Sequence, residues 1–177
     1  MSRHAPDVNI ETRRTEFNVA HYNNQVWIVG GSERIDSFIV NKTTNTIQIY
    51  DPNINTFSLS PIKMIYARRF HKMIVYKNKL FVFGGCDDDS NRLNTVEMYS
   101  PNTIEFVMMA PMKIARESFG CCRVGNLVYV IGGLTVGREH TKSVEVYNLD
   151  TNVWCDGTNF PVADSHLHAC AVNNKLA

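Results

Sequence analysis

The sequence predicts an all-β protein: three four-stranded antiparallel blades, stacked radially, and the start of a fourth. Three observations lead there. A glycine doublet recurs at Gly30-Gly31, Gly84-Gly85 and Gly132-Gly133, closing the aligned lines "RRTEFNVAHYNNQVWIVGG", "ARRFHKMIVYKNKLFVFGG" and "ARESFGCCRVGNLVYVIGG". After each doublet comes a tyrosine with a large ring seven residues on: Tyr50 with Phe57, Tyr99 with Phe106, Tyr147 with Trp154. Between these landmarks the chain offers short β-branched and aromatic runs separated by Asn, Pro, Asp and Gly, and no convincing helix.

Residues 1–12 read as a leader or a remnant, and 13–177 divide into units of about 13–60, 61–108 and 109–160, with an incomplete one from 161. The second unit shows the plan most plainly: "FHKMIVY", "KLFVFGG", "TVEMYS" and "EFVMM" are its four strands. Tight hairpins at "YNNQ", "YKNK" and "VGNL" join first to second strands, because Asn and Gly tolerate positive φ. Second strands such as "VWIV", "LFVF" and "LVYVI" are apolar on both faces, which requires a sheet between similar sheets. The glycine doublet permits close backbone approach at the end of that strand, and the paired aromatics fill the space between blades. The first unit carries about five extra residues between positions 32 and 46, and insertions of this kind belong in loops. In the fourth, "AVNNKLA" aligns Asn174 with Asn126, so the chain is expected to stop inside a first strand without its partner, as a descendant of something longer.

At 177 residues, 44% hydrophobic and 20% charged, the chain can bury a sizeable core. Eighteen basic and 17 acidic residues give a formal charge of +1, so no net field favours nucleic acid or an anionic membrane. The amino terminus lacks a signal-peptide apolar run, and no stretch approaches the about 20 residues of a membrane span. The chain is accordingly placed in the cytoplasm. Five cysteines in no framework spacing, two of them adjacent at Cys121 and Cys122, read as reduced and mostly buried thiols, and the sequon at Asn41 as accidental.

The diglycine after an apolar strand, the tyrosine behind it and the Trp or Phe seven residues later resemble the kelch repeat, so the fold is expected to be a partial kelch β-propeller. The resemblance runs from about residue 13 to 177; Phe57 and Phe106 stand where the family usually has tryptophan. The Asn- and Ile-rich wording of "YDPNINTFSLSPIKMI" further resembles poxvirus kelch-like proteins, which implies a host-cell cytoplasmic setting. Such proteins usually carry BTB and BACK domains that recruit a cullin-3 ligase. With about a dozen residues ahead of the first unit there is no room for a BTB domain, so direct cullin-3 recruitment is not expected.

By the same resemblance the functional face is made by the loops after each diglycine, residues 32–36, 86–92 and 134–140, and by the loops leading into each first strand, 66–69, 115–117 and 164–166. Arg34, Arg68, Arg92, Arg116 and Arg138 could contact partner carboxylates, or could be solvated or paired with nearby acids. Asp87, Asp88 and Asp89 form an acidic loop, and Glu139 and His140 join the candidate contacts. Asp87, Asp89 and Asn91 open like a calcium loop, but Arg92 replaces the required Gly and Met98 the bidentate Glu. His166 and His168 would share a face if their segment were a strand, without a third ligand in any recognisable motif. Cys86, directly after a diglycine, is a candidate exposed thiol, but its acidic neighbours would raise its pKa. No phosphate-binding glycine loop is present.

The expectation is therefore a noncatalytic protein-interaction module without cofactor, metal or catalytic residues, related to substrate adaptors, with open blade edges that could self-associate. The competing readings are a truncated gene product without independent activity and, behind it, a kelch-type copper oxidase.

Overall fold

In the computed structural model, residues 13–34, 41–169, 171–172 and 175–176 are described. The strands in chain order are β1 (Arg14–Thr15), β2 (Asn18–Tyr22), β3 (Gln25–Val29), β4 (Ser32–Arg34), β5 (Asn41–Thr43), β6 (Ile47–Asp51), β7 (Thr56–Leu59), β8 (Lys72–Tyr76), β9 (Lys79–Phe83), β10 (Val96–Ser100), β11 (Glu105–Met109), β12 (Gly120–Val124), β13 (Leu127–Ile131), β14 (Val144–Asn148), β15 (Val153–Asp156), β16 (Ala171–Val172) and β17 (Lys175–Leu176). Three antiparallel four-stranded sheets result: β2-β3-β6-β7, β8-β9-β10-β11 and β12-β13-β14-β15, here called blades 1, 2 and 3. Among the described residues they do not close into a ring. The only helical turn among those residues is a 3-10 turn at Val136–Arg138.

Local chemistry explains the strands. At the β2-β3 and β8-β9 turns, Asn23, Asn24, Lys77 and Asn78 all have φ between 47° and 59°, the left-handed pair a two-residue hairpin needs. The tyrosine and the ring seven residues later become direct cross-strand partners, Tyr50 with Phe57, Tyr99 with Phe106 and Tyr147 with Trp154. Their ring centroids lie 4.8, 5.5 and 4.8 Å apart.

The core lies between blades. Tyr22, Trp27, Val29 and Ile47 of blade 1 meet Leu80, Val82, Tyr99 and Phe106 of blade 2. Phe81, Phe83 and Val96 on blade 2's opposite face meet Val128, Val130 and Tyr147 of blade 3. This two-sided burial is why β9 and β13 are apolar at nearly every position. On blade 3's far face, Ile131, Val144 and Val146 pack, among the described hydrophobic residues outside the blade, against Leu167 and Ala169.

The doublet stitches each blade to the next unit. Gly84 and Gly85 have φ of 54° and 94°, and a Cβ on either would stand 2.7 Å from Arg116 O or 2.5 Å from Arg69 O, so only glycine fits. Gly85 N donates to Arg116 O at 2.9 Å, as Gly31 N does to Arg68 O and Gly133 N to Asp164 O, both at 2.8 Å.

Two expectations are refined. At the two ends of the longer first-unit segment, β4 pairs with both β1 and β5, and residues 35–40 lie outside the described residues. The fourth unit's first strand, expected to be unpaired, has a partner, since Ala171 pairs with Leu176 and Val172 with Lys175. Asn174, aligned with the turn, lies outside the described residues.

His71 occupies the position that Phe17, Phe119 and Leu167 hold in the other units, and its ring is buried. Desolvation, then the charges of Arg68 and Lys72, push its pKa from 6.5 down to about 3. The unfolded chain thus binds a proton below 6.5 that the folded chain refuses until about 3. Stability is complete above that window and falls as pH drops through it. Between pH 7 and 5 the loss attributable to His71 is about 2 kcal/mol, and His71→Phe is expected to remove it. Urea unfolding of both proteins at the two pH values measures this, and an unchanged pH dependence in the variant refutes it.

Candidate interaction face

Each loop after a diglycine is clamped at its base. Cys86 bridges Arg92 on its own loop and Arg69 on the segment leading into β8, and Leu134 likewise bridges His140 and Glu117. In the first unit Ser32 pairs with Thr43 and Thr15, the same bracket widened by the insertion. Variable loops therefore leave a common frame at one end of the blades, next to the segments that lead into the first strands. Those first strands, β2, β8 and β12, approach one another and so stand innermost.

Two of the arginines expected on this face are elsewhere. Arg68 and Arg116 are completely buried, so neither guanidinium can reach a partner. The reason is local: each turns inward to bind its own blade. Arg116 Nη1 donates to Gly132 O at 2.7 Å and Ser143 O at 3.1 Å, while Nη2 donates to Ser143 Oγ at 2.6 Å and Glu145 Oε1 at 2.7 Å. Arg68 repeats the set with Gly84 O, Thr95 O, Thr95 Oγ1 and Glu97. The carboxylates are occupied as well: Glu97 accepts Ile65 N and Tyr66 N, and Glu145 accepts Lys113 N and Ile114 N. Burial lowers the pKa of both guanidinium groups, and the carboxylate opposes that shift. Arg14 is the third member, bonded to Gly30 O, Thr46 O and Thr46 Oγ1; Gln48 stands at the glutamate position, and Glu33 from the insertion supplies the charge. In the fourth unit the equivalent residue is Asp164.

The remaining candidates lie on or beside the face. Arg92 pairs with Glu117 at 2.9 Å and is largely covered, so it braces two loops. Asp87 is self-contained, its oxygens accepting Asn91 N at 2.8 Å and Asn91 Nδ2 at 2.9 Å. Asp88 ties the acidic loop to the first one by accepting Thr43 N at 2.7 Å, and that bond lowers its pKa. Asp89 is exposed, as are Arg138 at the end of the 3-10 turn and Glu139 and His140 after it. His140 Nδ1 stands 3.9 Å from Asp164. Arg34 is exposed at the end of β4, and its N donates to Arg13 O at 3.0 Å; position 36 lies outside the described residues.

Cys86 is buried, and its thiol pKa rises to about 12, chiefly through desolvation and then Glu117 rather than the acidic loop. His166 and His168 are not on a strand; His166 Nδ1 lies 3.0 Å from Ser165 Oγ. Among the described residues no group of three or more His, Cys, Asp or Glu could hold a metal ion. Among the described residues no helix is long and apolar enough to cross a membrane.

One structural set was not anticipated. Glu16, Phe70, Ser118 and His166 share the position two residues after the strut arginine, or after Asp164 in the last unit, and all four have φ between 53° and 59°. Phe70 N donates to Glu16 O, Ser118 N to Phe70 O and Leu167 N to Ser118 O, so the set is linked from unit to unit just ahead of the first strands. They line a cavity of about 170 Å³ with Asn18 and Lys72. A left-handed phenylalanine is uncommon and strained. The register of the three aligned lines carried the signal, in a column whose residue types differ.

Residues 16–177 match the family model described as the KLHDC2/KLHL20/DRC7 Kelch-repeats domain. Kelch-like protein 40 of Xenopus tropicalis is 27% identical over 168 residues, covering 94% of this chain and 26% of that protein. Kelch-like protein 15 of Mus musculus is 28% identical over 152 residues, covering 75% and 24%. The chain thus spans about a quarter of the length of these relatives. A solved structure of YjhT superposes with a TM-score of 0.81 at 15% identity, over 92% of this chain and 58% of that one, a likeness of fold.

Arg116→Met is expected to destabilise the chain by about 3–5 kcal/mol by stranding Glu145, while adding Glu145→Leu restores part of the loss. Denaturant melts of both variants measure it, and equal losses in the two refute the strut. Cys155, exposed on β15, is expected to alkylate in the native protein, whereas Cys86 and Cys122 react only after unfolding. Peptide mapping after brief iodoacetamide treatment reads this, and native labelling of Cys86 counts against its burial.

Proposed function

The chain belongs to the kelch-repeat family, and from that premise we propose that it is a noncatalytic protein-interaction module binding through the loop end of its blades. The supporting observation is the repeated bracket: Ser32, Cys86 and Leu134 are clamped alike, while the loops beyond them differ in length, charge and shape. Diversity on a fixed frame is how a scaffold displays recognition residues. The contacts we assign are Arg34, Asp89, Arg138, Glu139 and His140, with Asp87, Asp88 and Arg92 shaping the loops that carry them. Arg68 and Arg116 act beneath the face by holding its frame.

The related BTB-kelch proteins suggest a role in capturing a protein for an adaptor assembly. The poxvirus-like wording makes a host protein in the cytoplasm of an infected cell the proposed partner. Affinity capture from such cells should recover a protein that is lost with Asp89→Ala, Arg138→Ala and Glu139→Ala combined, at an unchanged melting temperature. Undiminished capture by the triple variant refutes this face as the binding site.

A further inference from the structure

Lys72 lines the cavity of about 170 Å³ ahead of the first strands, together with Glu16, Phe70, Ser118, His166 and His168. The charges around it are settled among themselves. Glu16 Oε2 accepts Ser32 Oγ at 3.1 Å and stands 3.5 Å from Arg69 Nη1, and Arg68 is paired with Glu97. His71 is buried and neutral at ordinary pH, its pKa being about 3. The Cys121 thiol acts on Lys72 from the next unit, but burial pushes its pKa up, so it supplies no countercharge. Among the described residues the Lys72 ammonium has neither a hydrogen bond nor an ion pair.

A purely structural duty does not account for this lysine. Asn18, at the same repeat position, spends its amide on His71 O of the next unit at 3.2 Å, whereas Lys72 makes no such stitch. Burial lowers the Lys72 pKa, which marks the penalty its charged form bears without a partner. The surroundings supply what an anion needs. Ser118 is buried, and its hydroxyl has no hydrogen-bond partner among the described residues. His166 engages Ser165 Oγ through Nδ1 at 3.0 Å, which leaves Nε2. Phe70 walls the space, with the Arg69 guanidinium 5.8 Å and the His166 ring 6.5 Å from its own ring. Glu16, Phe70, Ser118 and His166 all hold left-handed backbone, and strain of this kind gathers at ligand clamps. A volume of about 170 Å³ admits several waters, and so a group the size of a phosphate or a carboxylate.

We propose that this cavity binds a single oxyanion, with the Lys72 ammonium as its countercharge and the Ser118 hydroxyl and a histidine N–H as donors. Hydrogen bonds from a charged donor to an ionised acceptor are the strong ones, and a partly desolvated ammonium gains most from them. Glu16 is the opposing charge at the rim and limits the affinity. The site shares no residue with the contacts assigned on the loops. A free phosphate and a carboxylate borne by a protein present the same chemistry to Lys72, and the two are separated by titration.

The isotope-labelled chain is titrated with inorganic phosphate and, separately, with N-acetylglutamate, at constant pH and ionic strength, and the amide resonances of Phe70, Lys72 and Ser118 are followed. Saturable shifts at these amides are expected, and the tighter of the two ligands names the source. Lys72→Met, which keeps the stem and removes the charge, should weaken binding by more than about tenfold without lowering the melting temperature, whereas Lys72→Arg retains most of it. Ser118→Gly, compatible with a φ of 53°, should weaken binding by less, and Glu16→Gln should tighten it. The combined Asp89→Ala, Arg138→Ala and Glu139→Ala variant should bind the anion as the parent does, so this site and the loop face fail independently. No saturable shift with either ligand, or equal binding by Lys72→Met, overturns the proposal.

Discussion

The structure depends on a buried guanidinium that holds two neighbouring units at once. The backbone carbonyl of Arg68 or Arg116 receives the second glycine of the preceding doublet, and the side chain of the same residue binds the first glycine of its own. A buried ion pair on its own is weak support for stability, since desolvation can exceed the Coulombic gain. Here the carboxylate is satisfied by two backbone N–H groups as well, and those belong to the segment joining the blades. Blade spacing, linker path and loop position are thereby fixed by one arrangement.

That arrangement explains the division of labour at the loop end. The bracket residues Cys86 and Leu134 are held by backbone bonds that are indifferent to side chain, so the loops beyond can differ freely. One can carry a self-bonded Asp87 and Asn91, the next a 3-10 turn with exposed Arg138. Variable loop residues and structural residues are adjacent without competing.

Much of the fold was legible because its determinants are side-chain independent or strongly patterned. The doublets, hairpin asparagines and Tyr-aromatic pairs each impose a backbone or packing requirement few other residues meet, and the strands fall where those marks place them. The site was less legible. Charge alone does not reveal direction: Arg68 and Arg138 both follow loop-like segments, yet the first turns into its blade because a glycine carbonyl, a threonine and Glu97 lie within reach. The clue was the arginine column at 14, 68 and 116 together with glutamates at 97 and 145, a regularity that recognition residues would not share. The pairing of Ala171 and Val172 with Leu176 and Lys175 was not legible, because strands of two residues are too short to show an alternating pattern.

The widened bracket between Ser32 and Thr43 has a consequence for how such a chain can change. Six positions separate the clamped residues in the other loops, Cys86 from Arg92 and Leu134 from His140, and eleven separate them here. The blade beneath keeps the same register despite the difference. Closing a longer loop costs little extra entropy, since the penalty grows only with the logarithm of length. The clamp is therefore a socket for exchange, at which whole loop segments can be lengthened, swapped or grafted while the framework stays untouched.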